Sequence, residues 1–150
     1  MAFKIKSMAE RNAHIYEGAT IFWRPVLYAR QLEIEHACTE RGVLDMAKKN
    51  LMSAQDAVVG WDEQVHDADD TPLAVPTGTE DERRHRIALI VGTFPMALII
   101  QLGILACADN PEAIKKSWEI LSLAAFASPI DTPAESLPVP TADSNEPRTA

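Results

Sequence analysis

The sequence predicts an α+β fold, mostly helical, in which a small antiparallel sheet or hairpin packs on about four helices and a disordered, proline-rich C-terminal tail follows. Three observations lead there. Short segments alternate apolar and polar residues with period two, around Ile21 and Trp23 and again from Val59 to Val65. Longer segments repeat apolar residues at helical spacing. The last stretch, residues 128–150, holds five of the ten prolines and no aromatic residue, so it cannot bury enough apolar area to offset its ordering entropy. A chain of 150 residues is long enough for one domain with a real core and short for two. The expected organisation is a flexible N-terminal segment over 1–18, one domain over 19–127, and the tail over 128–150.

The first segment is polar and weakly patterned, and Gly18 in "YEGAT" marks a turn. In "TIFWRPV" one face, with Ile21 and Trp23, is wholly apolar, as in a half-buried strand. Pro25 has no amide donor, which puts this strand at an edge or ends it there. From Leu27 the period becomes helical. Leu27, Ile34 and Cys38 share a side, the rest is charged, and Gly42 stands where a helix stop is expected. A second helix, from Val43 to about Val59, stacks Leu44, Ala47, Leu51, Ala54 and Val58 into one stripe opposite Lys48, Lys49 and Asp56.

"VVGWDEQVHDADDTPLAVP" reads as a hairpin, with "DADDTP" as the turn and "LAV" as the returning strand. Thr79 followed three residues later by Glu82 has the capping-box form, with acidic residues in the first turn where the helix dipole favours them. The helix so opened runs into "IALIVGTFPMALIIQLGILACA", 22 residues without a charge. Pro95 interrupts this run, giving two helices or one kinked helix. Asn110 and Pro111 then open a last helix, with Ile114, Trp118, Leu121 and Ala125 on one side and Lys115 and Glu119 on the other.

The uncharged run decides most of the function classes. As a single helix it would span about 33 Å, enough for a hydrocarbon core of about 30 Å, and "RRHR" at Arg83 to Arg86 suits a cytoplasmic flank. A small single-span membrane protein, with Ile87 to Ala108 as its transmembrane helix, is therefore the alternative reading. Pro95 near the middle, the amide of Gln101, and a helix start well upstream all favour burial inside protein instead. At about 25 cal/mol per Å² of apolar area, such a helix would dominate the stability of a small domain. Part of its surface is expected to need cover from another molecule.

Composition closes other routes. With 14 Lys and Arg against 22 Asp and Glu, the net charge of -8 repels phosphate backbones and anionic membranes, so nucleic acid is not expected as a partner. The arginines of "RRHR" are then charged helix surface. The two cysteines, Cys38 and Cys107, lie among apolar neighbours without metal-ligand spacing and read as reduced, buried thiols. His14, His36, His66 and His85 have no zinc spacing. "DADDTP" resembles the start of a calcium loop but has Pro72 and Gly78 where that loop needs Gly and Glu. Glu33 and Glu35 are solvated carboxylates, and neither a phosphate loop nor a nucleophile elbow occurs. No catalytic residue, cofactor or metal ligand is expected; a deep pocket holding two or more of the histidines would point to an enzyme. The N-terminal "MAFKIKSMAERNAH" mixes charges and does not read as a cleaved export signal.

The order of motifs from Ala19 to Phe126 resembles the tail assembly chaperones of long-tailed, siphovirus-like bacteriophages. The resemblance rests on Arg24-Pro25 at a strand end, the acidic Glu33 to Glu35, Thr39 to Gly42, Gly60-Trp61, the acidic turn from Asp67 to Pro72, and Thr79 to Glu82. One departure is Asp69-Asp70, where an Asp-Gly turn would be usual. The resemblance implies a protein without enzymatic activity that binds and solubilises the tape measure protein. It also implies recruitment of tail tube protein during tail morphogenesis in the host cytoplasm, absence from the mature virion, and in many relatives a longer frameshifted form. Self-association is a further expectation, from apolar helix surface in excess of what one small domain covers. The positions expected to touch a partner are Leu44, Leu51, Leu98, Leu102, Trp118 and Leu121.

Overall fold

One tight turn sets the first pairing of the sheet. In a computed structural model describing residues 11–127, β1 (Asn12–Tyr16) and β2 (Ala19–Trp23) form a hairpin whose register runs from Asn12 opposite Trp23 to Tyr16 opposite Ala19. The two connecting residues, Glu17 and Gly18, have φ of 48° and 85°, the positive values that match the twist of a two-residue hairpin. Gly18 is thus the expected turn, but the segment read as flexible over 1–18 contains strand β1, whose polar sequence hides a half-buried ladder. Its remainder, 1–10, lies outside the described residues, as does the tail over 128–150.

Strand β2 buries Ile21 and Trp23 completely and is the middle strand of the order β1-β2-β5, where β5 is Val58–Trp61. Pro25 ends the strand and does not make it an edge. The next amides are used elsewhere: Arg24 N–H donates to Ala57 O, and Val26 N–H to Ala106 O. The chain leaving the sheet therefore satisfies carbonyls at the ends of two helices.

Helix α1 (Tyr28–Cys38) buries Ile34 and Cys38 as expected. It does not stop on Gly42. A second hairpin intervenes, with β3 (Thr39–Glu40) and β4 (Val43–Leu44) joined by Arg41 at φ 54° and Gly42 at φ 77°. Two-residue strands are too short to show a period, and a glycine at positive φ serves a turn as well as a helix end. Helix α2 (Met46–Ala57) starts later than Val43 because Asp45 caps it, accepting from Lys48 N–H at 3.1 Å.

The expected hairpin after β5 is shortened. Strand β5 pairs antiparallel with β2 and not with "LAV", but the "DADDTP" turn is closed by an antiparallel bridge, His66 with Pro72, and by two backbone hydrogen bonds of 2.8 Å, Asp67 N–H to Thr71 O and Leu73 N–H to Val65 O. Asp67 holds that turn by accepting from the amides of Asp69 and Thr71 at 2.9 and 3.0 Å, and Trp61 Nε1 donates to Leu73 O at 2.7 Å.

Helix α3 (Glu80–Val91) opens on Thr79, whose hydroxyl accepts from Glu82 N–H. The uncharged run is divided: α3 ends at Gly92, and α4 (Met96–Cys107) begins after Pro95. Among the described residues no helix is long and apolar enough to cross a membrane. The fold is thus α+β and mostly helical, with five helices and sheets of three and two strands among the described residues.

Where one domain was expected over 19–127, the chain divides after Pro111 into two units, Met1–Pro111 and Glu112–Ala150. An amphipathic stripe fixes which side of a helix is apolar, and says nothing about what that side meets. Helix α5 (Pro111–Ala127) has Pro111 at its first position as expected. Within it Lys115 pairs with Glu112 at 3.8 Å, on the turn opposite to the Glu119 named from sequence.

Candidate functional site: the surfaces of the apolar helices

Helix α4 has two faces. The inner one carries Leu98, Leu102, Leu105 and Ala106, all buried, and meets α2 along a row of small residues in which Ser53, Ala54 and Ala57 are buried. The approach is close enough that a Cβ on Gly103 would stand 2.8 Å from Asn50 O and 2.9 Å from its Cα. Cys107 Sγ donates to Ser53 Oγ across the same seam at 3.5 Å. The α2 stripe expected from sequence is consequently rotated. Ala47 is exposed and Leu51 half-buried, because the contact is made by small side chains that a hydrophobicity pattern does not emphasise.

Gln101 places its amide on the side facing β1, where His14 Nε2–H donates to Gln101 Oε1 at 2.7 Å. His14 is itself buried. The polar group that argued against a lipid environment thus has a protein partner inside the fold.

The outer face of α4 is apolar as well. Met96, Ile100 and Ile104 recur every four residues and are exposed, Met96 at 77%, with exposed Leu89 at the end of α3. These positions were not named from sequence. The uncharged run is apolar all round, so periodicity cannot say which side is covered.

The six positions named for partner contact fall into three groups. Leu98 and Leu102 are core residues at 3% and 0% exposure, which leaves their side chains unable to meet a partner in this conformation. Leu44 in β4 and Leu51 in α2 are half-buried. Trp118, half-buried, and Leu121, exposed, lie on α5 in the second unit.

The charged groups form a separate concavity of about 320 Å³ at the C-terminal end of β2 and the start of α3. Arg24, Arg30, Arg83 and Arg84 line it with Asp56 and Glu80. Asp56 Oδ1 accepts from Arg30 Nε at 3.2 Å and lies 3.8 Å from Arg84. Burial weakens the Arg30 proton, but Asp56 and Glu33 outweigh it and hold the guanidinium above its usual range. The "RRHR" cluster is therefore an exposed helix surface partly tied down by one carboxylate.

The histidines are dispersed. His14 bonds Gln101, His66 Nδ1–H donates to Asp70 in the acidic turn at 2.8 Å, and His36 and His85 are exposed on α1 and α3. Among the described residues no three His, Cys, Asp or Glu side chains are grouped to hold a metal ion. Compared with known proteins, the chain matches no family model, no curated protein and no solved structure.

Proposed function

We propose that this protein is a phage tail assembly chaperone, which binds the tape measure protein, keeps it soluble, and helps bring tail tube subunits to it in the host cytoplasm. The observation that carries the reading is the apolar outer face of α4, with Met96, Ile100 and Ile104 exposed at four-residue spacing. Such a face suits contact with the apolar seam of a long helix. The order of motifs from Arg24-Pro25 to Thr79 and Glu82 supports the same reading. The role needs no catalytic group, and self-association through the same face is a compatible activity.

The test is co-expression with the tape measure protein of the same phage. The expected result is transfer of that protein from the pellet to the supernatant, and unchanged solubility overturns the reading. The single-span alternative is tested by fractionation: a chain that pellets with membranes and resists high-salt extraction replaces the chaperone.

A further inference from the structure

A second concavity in the first unit lies between the β1–β2 turn, the acidic turn, and the junction of α3 with α4, and encloses about 680 Å³. Its floor is apolar, with Ile21, Leu98 and Phe94, and exposed Leu89 forms one lip. The walls are fixed. The Trp61 indole donates to Leu73 O at 2.7 Å and meets the Phe94 ring edge-on at 5.9 Å, while the carboxylate of Asp67 closes the acidic turn. A groove held this way loses little freedom when filled.

The rim has one sign of charge. Glu17 and Asp67 line it, Asp69 and Asp70 stand in the same turn, and neither lysine nor arginine is among the described residues that line it. Among the described lining residues His66 is the one able to become cationic, and it is engaged by Asp70. A second copy of this chain carries the same charge of -8 and offers no complement to this acidic rim, unlike to the apolar face of α4. From the apolar floor and the acidic rim we infer that this groove docks an amphipathic helix of another protein, with lysine or arginine beside its apolar anchor residues. The inference goes beyond the chaperone reading and holds whichever protein supplies the helix.

The test uses the full chain and two synthetic amphipathic peptides with the same leucine stripe, one flanked by lysine and the other by glutamate, in isothermal titration. The lysine peptide is expected to bind at least about tenfold more tightly, with the gap narrowing as salt is raised. Leu89→Glu removes apolar contact at the lip, a loss larger than the small attraction its exposed carboxylate adds for lysine, and should weaken the lysine peptide about fivefold or more. Glu17→Lys should weaken it about threefold and strengthen the glutamate peptide. Ala68→Arg, at another exposed lining position, serves if Leu89→Glu alters the circular dichroism spectrum, and carries the same expectation. Equal affinity of the two peptides, or indifference to these substitutions, overturns the inference. So does a dimer of the unmodified chain that Leu89→Glu dissolves, since the groove then belongs to a second copy. Loss of the lysine preference in titration with tape measure solubility intact removes the groove and leaves the chaperone reading standing; lysine-peptide binding without tape measure solubility does the reverse.

Discussion

Trp23 and Trp61 stand on adjacent strands, both buried, and differ in what their indole nitrogens meet. Trp61 Nε1 donates to Leu73 O, whereas Trp23 Nε1 is buried without a partner among the described residues. Replacing either by Phe removes similar ring volume. Trp61→Phe also loses a hydrogen bond, while Trp23→Phe removes an unsatisfied donor that costs about 1–3 kcal/mol to bury. Denaturant unfolding should therefore find Trp61→Phe the less stable variant by about 2 kcal/mol. A second residue-scale effect is in the acidic turn. The hydrogen bond to Asp70 raises the His66 pKa above its usual value near 6.5, against a smaller opposing effect of burial. A raised folded-state pKa contributes stability that is complete below about pH 6.5 and lost as pH rises through the higher folded value. Protection of the amides in residues 66–71, measured against their intrinsic base-catalysed exchange, should fall over that interval, and Asp70→Asn should weaken the dependence and lower the imidazole titration toward its usual range. Asp62 has the opposite sign: burial favours its neutral form, but hydrogen bonds from Thr20 and Gln64 outweigh that and lower its pKa.

At the scale of elements, the seam between α2 and α4 is set by Gly103. An added methyl would meet Asn50 backbone atoms under 3.0 Å, and backbone cannot rotate away as a side chain can. Gly103→Ala should destabilise by about 1–3 kcal/mol despite its higher helix propensity, whereas Ile104→Ala on the outer face should change stability by about 0.5 kcal/mol. Thermal unfolding of the two variants checks the contrast. The same seam shows how much was legible in the sequence. The capping residue Thr79, the break at Pro95, the turn at Gly18 and the buried face of β2 follow from local chemistry, and all are observed. Strand β1, the β3–β4 hairpin, and the pairing of β5 with β2 depend on contacts distant in sequence or on strands of two residues. Of the candidate site, apolarity of the run was legible, but its sidedness was not: Leu98 and Leu102 face inward, while Met96, Ile100 and Ile104, with the same composition, face outward.

At the scale of the whole molecule, the uncharged run is accommodated by division. Half of the problem is solved inside the first unit, where α4 lies on α2 and Gln101 is satisfied by His14. The other half is left as surface on an acidic chain whose charge of -8 resists its own aggregation. An exposed apolar face on an acidic protein suits the role of holding another protein soluble. The most direct test of this role is the soluble fraction of the tape measure protein co-expressed with the unmodified chain or with the double variant Ile100→Glu/Ile104→Glu, each checked for folding by circular dichroism. The soluble fraction is expected to rise with the unmodified chain and to fall back with the folded double variant; equal solubility with both rules this role out.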